Sequence, residues 1–254
     1  MTLRSRFEAG ETTYTAWSSL PEPMAIEVLA GTAFDSVTLD MQHGAHTEDS
    51  VMRCLPPVIA RGKAAIVRIP VGRFDAASRA LDFGADAVIA PMINSADDAR
   101  NFAAYMKYPP LGERSWGPTI ALSRRGVTGP SVLSEDNRRT MALAMIETRQ
   151  AYEALDDILA VEGIDGIFVG PSDLSLTWSN GARVAPDSPE IVPAVERIAA
   201  ACKAAGKICG IYLVDVSAAG RLVKTGYRLF AIGAEVRLIN AGADQLIGAA
   251  KASL

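Results

Sequence analysis

The stretch ALAMIETRQAYEALDDILAVEGIDGIFVGPSD, residues 142–173, contains the unit from which the whole chain is built. It opens on a continuously apolar run, Ala142–Glu147. A helical pattern follows over Arg149–Ala160, Gly163 stands where that helix should stop, and a second apolar run covers Gly166–Val169. Runs apolar throughout are those of strands buried on both faces, as in a parallel sheet. A glycine behind a helical pattern supplies its left-handed end.

Outward from this stretch the unit recurs. Further candidate strands are Thr13–Ser18, Ser36–Asp40, Ala64–Ile69, Ala87–Ala90, Ile208–Leu213 and Arg228–Ile232. Helical segments between them include Glu48–Ala60, Arg73–Phe83, Ala96–Lys107 and Ile191–Ala205, with Gly84, Gly206 and Gly226 at helix ends. Eight strands in strict alternation with helices favour a closed (β/α)8 TIM barrel over an open doubly wound sheet. No G-x-G-x-x-G or Walker loop follows any strand, which counts against nucleotide binding. The tail Glu235–Leu254 reads as one Ala-rich helix. Pro109–Asn137 holds no clear strand, and a loop of that length is usually a lid or an interface arm. With no repeat and no composition break, residues 1–254 are read as one α/β domain.

The bulk composition is that of an ordinary globular chain: 254 residues, 49% hydrophobic and 21% charged, with net charge −4. No Lys/Arg block is present, so nucleic acid is an unlikely partner class. Cys54, Cys202 and Cys209 are too scattered for a disulfide framework or a zinc knuckle, and a reducing cytoplasm fits them best. The opening residues, Met-Thr-Leu-Arg-Ser-Arg-Phe-Glu, read as no signal peptide. No apolar run is long enough to cross a bilayer, so no membrane partner is expected.

A barrel enzyme works at the C-terminal ends of its strands. The polar residues there are Asp40 with His43, Arg68, Glu147, and Asp173 in Gly170-Pro171-Ser172-Asp173. Two carboxylates from neighbouring strands suit a hard divalent ion that keeps waters for a substrate. The alternative is that Glu147 caps the helix beginning near Thr148 and Asp173 caps its own turn. Backbone N–H groups opening a helical turn at Gly170–Asp173 make a carboxylate cradle, or a plain turn. His43 suits proton transfer, or is a loop histidine bonded to Asp40 or Glu48. Arg68 can hold a developing enolate oxygen, and equally pair with Asp40 across the mouth. A Schiff-base mechanism needs a lysine at the mouth. Lys63 and Lys207 lie at strand starts, and Lys107, Lys203, Lys224 and Lys251 on helices or near their ends. The enolate chemistry is therefore expected to fall to a metal.

Leu39-Asp40-Met41-Gln42-His43, Val67-Arg68, Ala90-Pro91-Met92, Tyr108-Pro109-Pro110-Leu111-Gly112-Glu113-Arg114, Ile146-Glu147-Thr148-Arg149 and Phe168-Val169-Gly170-Pro171-Ser172-Asp173-Leu174-Ser175, in this order and spacing, resemble the HpcH/HpaI aldolase family of class II pyruvate aldolases. The resemblance runs from about Trp17 to the C-terminus. It implies reversible aldol addition and cleavage between pyruvate, or an analogue such as hydroxypyruvate, and an aldehyde, through a metal-stabilised enolate. It implies Mg²⁺, Mn²⁺ or Co²⁺ on Glu147 and Asp173, and substrate carboxylate on the backbone of Ser172 and Asp173 beside Gly170. Arg68 would stabilise the enolate oxygen, His43 would move the protons, and Asp40 would support both. Trp17 and Leu213 match positions near the aldehyde pocket. Asp82 matches an aspartate that reaches a neighbouring subunit's histidine in a homo-hexamer, a trimer of dimers exchanging the last helix. Met145 departs from relatives that carry Gln beside the metal glutamate, and a thioether cannot replace that amide's hydrogen bonds.

Three other functions remain open on this sequence. An oxaloacetate decarboxylase needs the same metal and enolate. A citrate-lyase-like acyl-CoA lyase needs room and cations for CoA, and no basic patch for its phosphates is visible. A non-catalytic keto-acid-binding barrel would not need His43 as a base.

Overall fold

The computed structural model describes residues 2–126 and 132–254, apart from the side chain of Ser134. Eight parallel strands close into one barrel in sequence order: β1 Thr13–Ser18, β2 Ser36–Asp40, β3 Ala64–Arg68, β4 Ala87–Ala90, β5 Met141–Ile146, β6 Gly166–Val169, β7 Ile208–Leu213 and β8 Leu229–Ile232. The strand bounds differ from the sequence expectation by at most one residue at either end.

The apolar runs have two buried faces to fill, and two hydrophobic layers result. One lies between barrel and helices and includes Val37, Leu39, Val67, Val88, Ala144, Ile167 and Ile211. The other fills the barrel interior, with Ile66, Ile89, Leu143, Met145 and Phe168. Leu3 and Phe7, on the helix Leu3–Glu8, join that inner layer and close its floor. At Gly166 a Cβ would meet the Ile208 carbonyl oxygen at 2.6 Å, so only glycine lets β6 approach β7 this closely.

Local signals start and stop the helices. Thr47 and Ser50 form a reciprocal capping box at Glu48–Ala60, and Gly84, at φ 112°, ends Phe74–Phe83 in the left-handed region. The expected helix Arg149–Ala160 is interrupted at Ala154 into Arg149–Glu153 and Leu155–Ala160.

The segment Pro109–Asn137, expected as a lid or an interface arm, holds no strand among its described residues. Residues 127–131 lie outside the described residues. Around them stand two helices, Thr119–Arg125 and Val132–Arg139. They pack at the strand N-termini, where Arg124 donates to the Phe83 and Met52 carbonyls and Arg125 to the Ala85 carbonyl. The described part of this segment is therefore no lid over the mouth. Buried Arg114 fixes it by pairing with both Asp82 and Asp136.

The tail is the helix Glu235–Ala252, and only Glu235 in it is buried. Val236, Ile239, Leu246 and Ile247 are 53–74% exposed, so beyond its first turn, where Glu235 and Leu238 meet the barrel, this helix does not pack on its own chain. No described helix is long and apolar enough to cross a membrane.

Candidate active site

At the C-terminal mouth the register of β2 and β3 sets Asp40 directly beside Arg68. Both are buried, and the guanidinium makes a two-pronged pair with the carboxylate: Nε to Oδ1 at 2.8 Å and Nη2 to Oδ2 at 2.7 Å. Burial alone would raise the Asp40 carboxyl. The Arg68 guanidinium, with the Gln42 N–H and the Trp17 indole, instead holds it below the usual carboxylate range. Trp17 Nε1 donates to Asp40 Oδ2 at 3.2 Å, and the Arg68 guanidinium lies 4.8 Å from the Trp17 ring centroid. The ion pair across the mouth and the presentation of a cation to the pocket are thus one arrangement, since the pair fixes the guanidinium.

Asp40 also accepts N–H bonds from Gln42, His43 and Gly44, at 3.0, 3.3 and 3.1 Å, which shapes the loop carrying His43. His43 is exposed at the mouth and lines the pocket. His46 is buried, and burial pushes its imidazole below the ordinary value.

Glu147 follows β5 directly. Its Oε1 accepts the Met92 N–H at 2.8 Å, whereas Oε2 is buried without a hydrogen-bond partner. Burial pushes this carboxyl up to about 7. The Met92 N–H opposes the rise, the charge of Asp173 adds to it, and that of Arg68 opposes it. The capping alternative is not what is observed: Thr148, not Glu147, caps Arg149–Glu153. Gly170 leaves room for the orphaned oxygen, because a Cβ there would stand 2.7 Å from Oε2 and 2.6 Å from Met145 Cε. Asp173 lies in the first turn of the helix Pro171–Trp178, where the N–H groups of Ser172 and Asp173 precede the first intrahelical bond, from Leu174 to Gly170.

One open cavity of about 730 Å³ including its mouth is walled by Trp17, Asp40, His43, Arg68, Gly170 and Asp173, with Ser172 also in its lining, whereas Glu147 is buried behind Gly170 and does not itself line it. Met145 forms part of the same wall. Two expected residues are elsewhere. Leu213 is buried in the layer outside the barrel, and the alternation of β7 turns its neighbour Tyr212 into the pocket instead, edge-on to Trp17 at 5.5 Å. Asp82 ends a helix at the opposite end of the barrel, paired with Arg114, and does not meet His43 of its own chain. Phe168, stacked on Trp17 at 5.7 Å, and the Met92 N–H complete the site. Sequence reasoning missed Tyr212, although period-two alternation at the strand end could have shown it.

None of the described lysines lines this cavity. Lys107 is buried on the Asn137 and Thr140 carbonyls and Asp165, Lys63 bonds the Thr32 and Phe34 carbonyls, and Lys207 the Val161 carbonyl. Among the described residues no group of three or more His, Cys, Asp or Glu side chains could hold a metal.

Comparisons with known proteins agree with this fold. The family model for HpcH/HpaI aldolase/citrate lyase matches residues 13–241. A 4-hydroxy-2-oxo-heptane-1,7-dioate aldolase of Salmonella dublin is 33% identical over 243 residues, covering 96% of this chain and 92% of its own. The crystal structure of an HpcH/HpaI aldolase from Desulfitobacterium hafniense DCB-2 matches with TM-score 0.89 at 26% identity, covering 99% of this chain and 97% of that one. An aldolase/citrate lyase family protein of Burkholderia cenocepacia J2315 matches with TM-score 0.86 at 27% identity, covering 98% of each chain.

Proposed function

The chain belongs to the HpcH/HpaI aldolase/citrate lyase family, and on that premise we propose that it is a carbon–carbon lyase joining and cleaving pyruvate, or an analogue such as hydroxypyruvate, and an aldehyde. The observation that carries the reading is the buried, unpartnered Oε2 of Glu147, which feels the charge of Asp173 and lies directly behind Gly170 in the wall of the cavity that Asp173, Arg68 and His43 line.

Enzymes of this family depend on a divalent metal ion. Such an ion fits here. A buried anionic oxygen without a donor, its carboxyl pushed up by burial, is the electrostatic deficit that a cation relieves. Two carboxylates without His or Cys form a hard-oxygen set suited to Mg²⁺ or Mn²⁺, with Co²⁺ as a substitute. When bound, the ion supplies Lewis-acid stabilisation of negative charge on the keto oxygen.

The chain's own groups do the rest. The N–H groups of Ser172 and Asp173 hold the substrate carboxylate at the helix N-terminus, and Gly170 keeps that approach open. Arg68, fixed by Asp40 and Trp17, offsets the charge that develops on the C2 oxygen. In cleavage His43 takes the proton from the C4 hydroxyl as the C3–C4 bond breaks, and returns one to C3. Trp17, with Tyr212, faces the aldehyde portion.

The working form is a homo-hexamer, a trimer of dimers that exchange Glu235–Ala252. The apolar side chains which that helix leaves in solvent support this, and Asp82 could then approach His43 only between chains.

Release of pyruvate from a 4-hydroxy-2-keto acid with Mg²⁺ or Mn²⁺, and its loss on chelation, tests the reading. Full activity after chelation in a Glu147→Gln, Asp173→Asn double variant would overturn it.

A further inference from the structure

No side chain among the described residues holds the His43 ring, so its position is set by the backbone of its loop. The Asp40 carboxylate grips that loop on the side of the pocket, as described above. A second grip comes from β1 and the terminal helix. The Ala45 N–H donates to the Ser19 carbonyl at 2.9 Å. Gly44 lies so close that a Cβ would meet the Asp40 carbonyl oxygen at 2.4 Å and Ser19 Cα at 3.0 Å. His46, buried three residues after His43, reaches Ser18 Oγ through Nε2 at 2.9 Å and Ser50 Oγ through Nδ1 at 3.2 Å. Ser18 Oγ in turn donates to Glu235 Oε1 at 2.5 Å, and the Ser19 N–H donates to Glu235 Oε2 at 2.8 Å.

Proton counting orders this chain of contacts. The single Ser18 hydroxyl hydrogen goes to the carboxylate, so Ser18 accepts from His46 Nε2–H. In a neutral His46 the bare Nδ1 then faces the Ser50 hydroxyl, whose hydrogen it shares with the Thr47 carbonyl, 3.0 Å from the same oxygen. Burial, which pushes His46 below its ordinary value, agrees with the neutral ring. Every polar side-chain atom in this chain of contacts has a partner, and the chain ends on the only buried residue of the terminal helix.

We propose that Glu235 and His46 are positioning residues for proton transfer: through Ser18 and Ser19, the first residue of the terminal helix fixes where the His43 loop stands. This rests on the reading that His43 moves the proton. It also places the helix start in contact with the catalytic loop, so that seating the helix and setting His43 are one event.

The test uses the full-length assembled enzyme with Mg²⁺, comparing Glu235→Ala, His46→Leu and His46→Gln. A shift of about 1 Å at a catalytic group costs about 10²-fold in rate. Glu235→Ala and His46→Leu are therefore expected to lower kcat by about 10- to 100-fold. Keto-acid KM should stay within about twofold, because the carboxylate cradle and Arg68 are untouched. The amide of His46→Gln, placed near the lost Nε2, should restore most of kcat. Amide hydrogen exchange of residues 42–46 should quicken in Glu235→Ala while β3–β6 remain protected. Wild-type kcat in Glu235→Ala and His46→Leu would overturn the inference, as would equal changes in kcat and KM with unaltered loop exchange. Should Glu235→Ala fail to fold or assemble, His46→Leu decides alone, since it leaves Glu235 on Ser19. His43→Ala separates the two levels. Full turnover there defeats the proton-transfer reading itself. Its loss, beside normal Glu235→Ala and His46→Leu, defeats only the positioning role.

Discussion

In the presence of chelator, Glu147 should make the protein less stable as pH rises, the reverse of an ordinary paired carboxylate. Its carboxyl is pushed from 4.5 to about 7 by burial, with no donor on Oε2. The fold therefore favours the protonated form. The stabilising contribution is whole below the unfolded value, declines as pH passes 4.5, and is gone just above the folded value near 7. At about 1.4 kcal/mol per pH unit, that gap amounts to about 3 kcal/mol. Glu147→Gln cannot ionise, and its Oε1 can still accept the Met92 N–H. Whatever fixed cost the new amide brings, the difference in unfolding free energy between wild type and variant should shift by about 3 kcal/mol between pH 4 and 8, against the wild type. Urea unfolding of both proteins in chelator at several pH values measures it. Added Mn²⁺ should then stabilise the wild type at pH 8 and leave the variant unchanged, because only a ligand bound to the folded state shifts that equilibrium. A flat difference across pH, or an equal response to Mn²⁺, would refute the argument that this oxygen awaits a cation.

Arg68→Ala strands a buried Asp40 carboxylate and should cost about 3–5 kcal/mol in denaturant unfolding, with turnover lost; recovery of activity by Arg68→Lys would show that the two-pronged geometry is dispensable. His43→Ala should lower the aldol rate by about 10²–10⁴-fold while keto-acid binding, followed by calorimetry, stays near wild type. Truncation after Glu235 should convert the assembly to smaller species in sedimentation, and a truncated hexamer would show that the exposed helix is not the exchanged arm. Asp82→Asn should reduce turnover without changing metal affinity if that carboxylate orients the His43 of another chain, and unchanged kcat would leave Asp82 as only an ion-pair partner of Arg114.

Continuous apolar runs punctuated by helical patterns and glycines were sufficient to specify the barrel. A strand with two buried faces has few other architectures open to it, and the eight runs occupy the observed strands within a residue. The strand-end rule likewise located Asp40, Arg68, Glu147 and Asp173, because the end of an apolar run is visible in one dimension. The placement of Tyr212 and Leu213 was not visible in that way. Both end the same strand, and which faces the pocket depends on the phase of the pleat, which register with β8 fixes. The length of the loop Pro109–Asn137 suggested a lid or an interface arm. The buried pairs of Arg114 with Asp82 and Asp136 hold its described part to the far end, and those pairs join residues 22 to 32 positions apart. The orphaned Oε2 of Glu147 and the contacts of Glu235, Ser18 and His46 likewise exist only once the barrel closes. A carboxylate's worth is set by what surrounds it, and residues 217 positions apart acquire a shared hydrogen bond only through the fold. The sequence by itself determined the elements, their order and the chemical types at the mouth. Tertiary structure alone decided which atoms are satisfied, which are left bare and which face the substrate, because those properties belong to distances between strands and not to spacing along them.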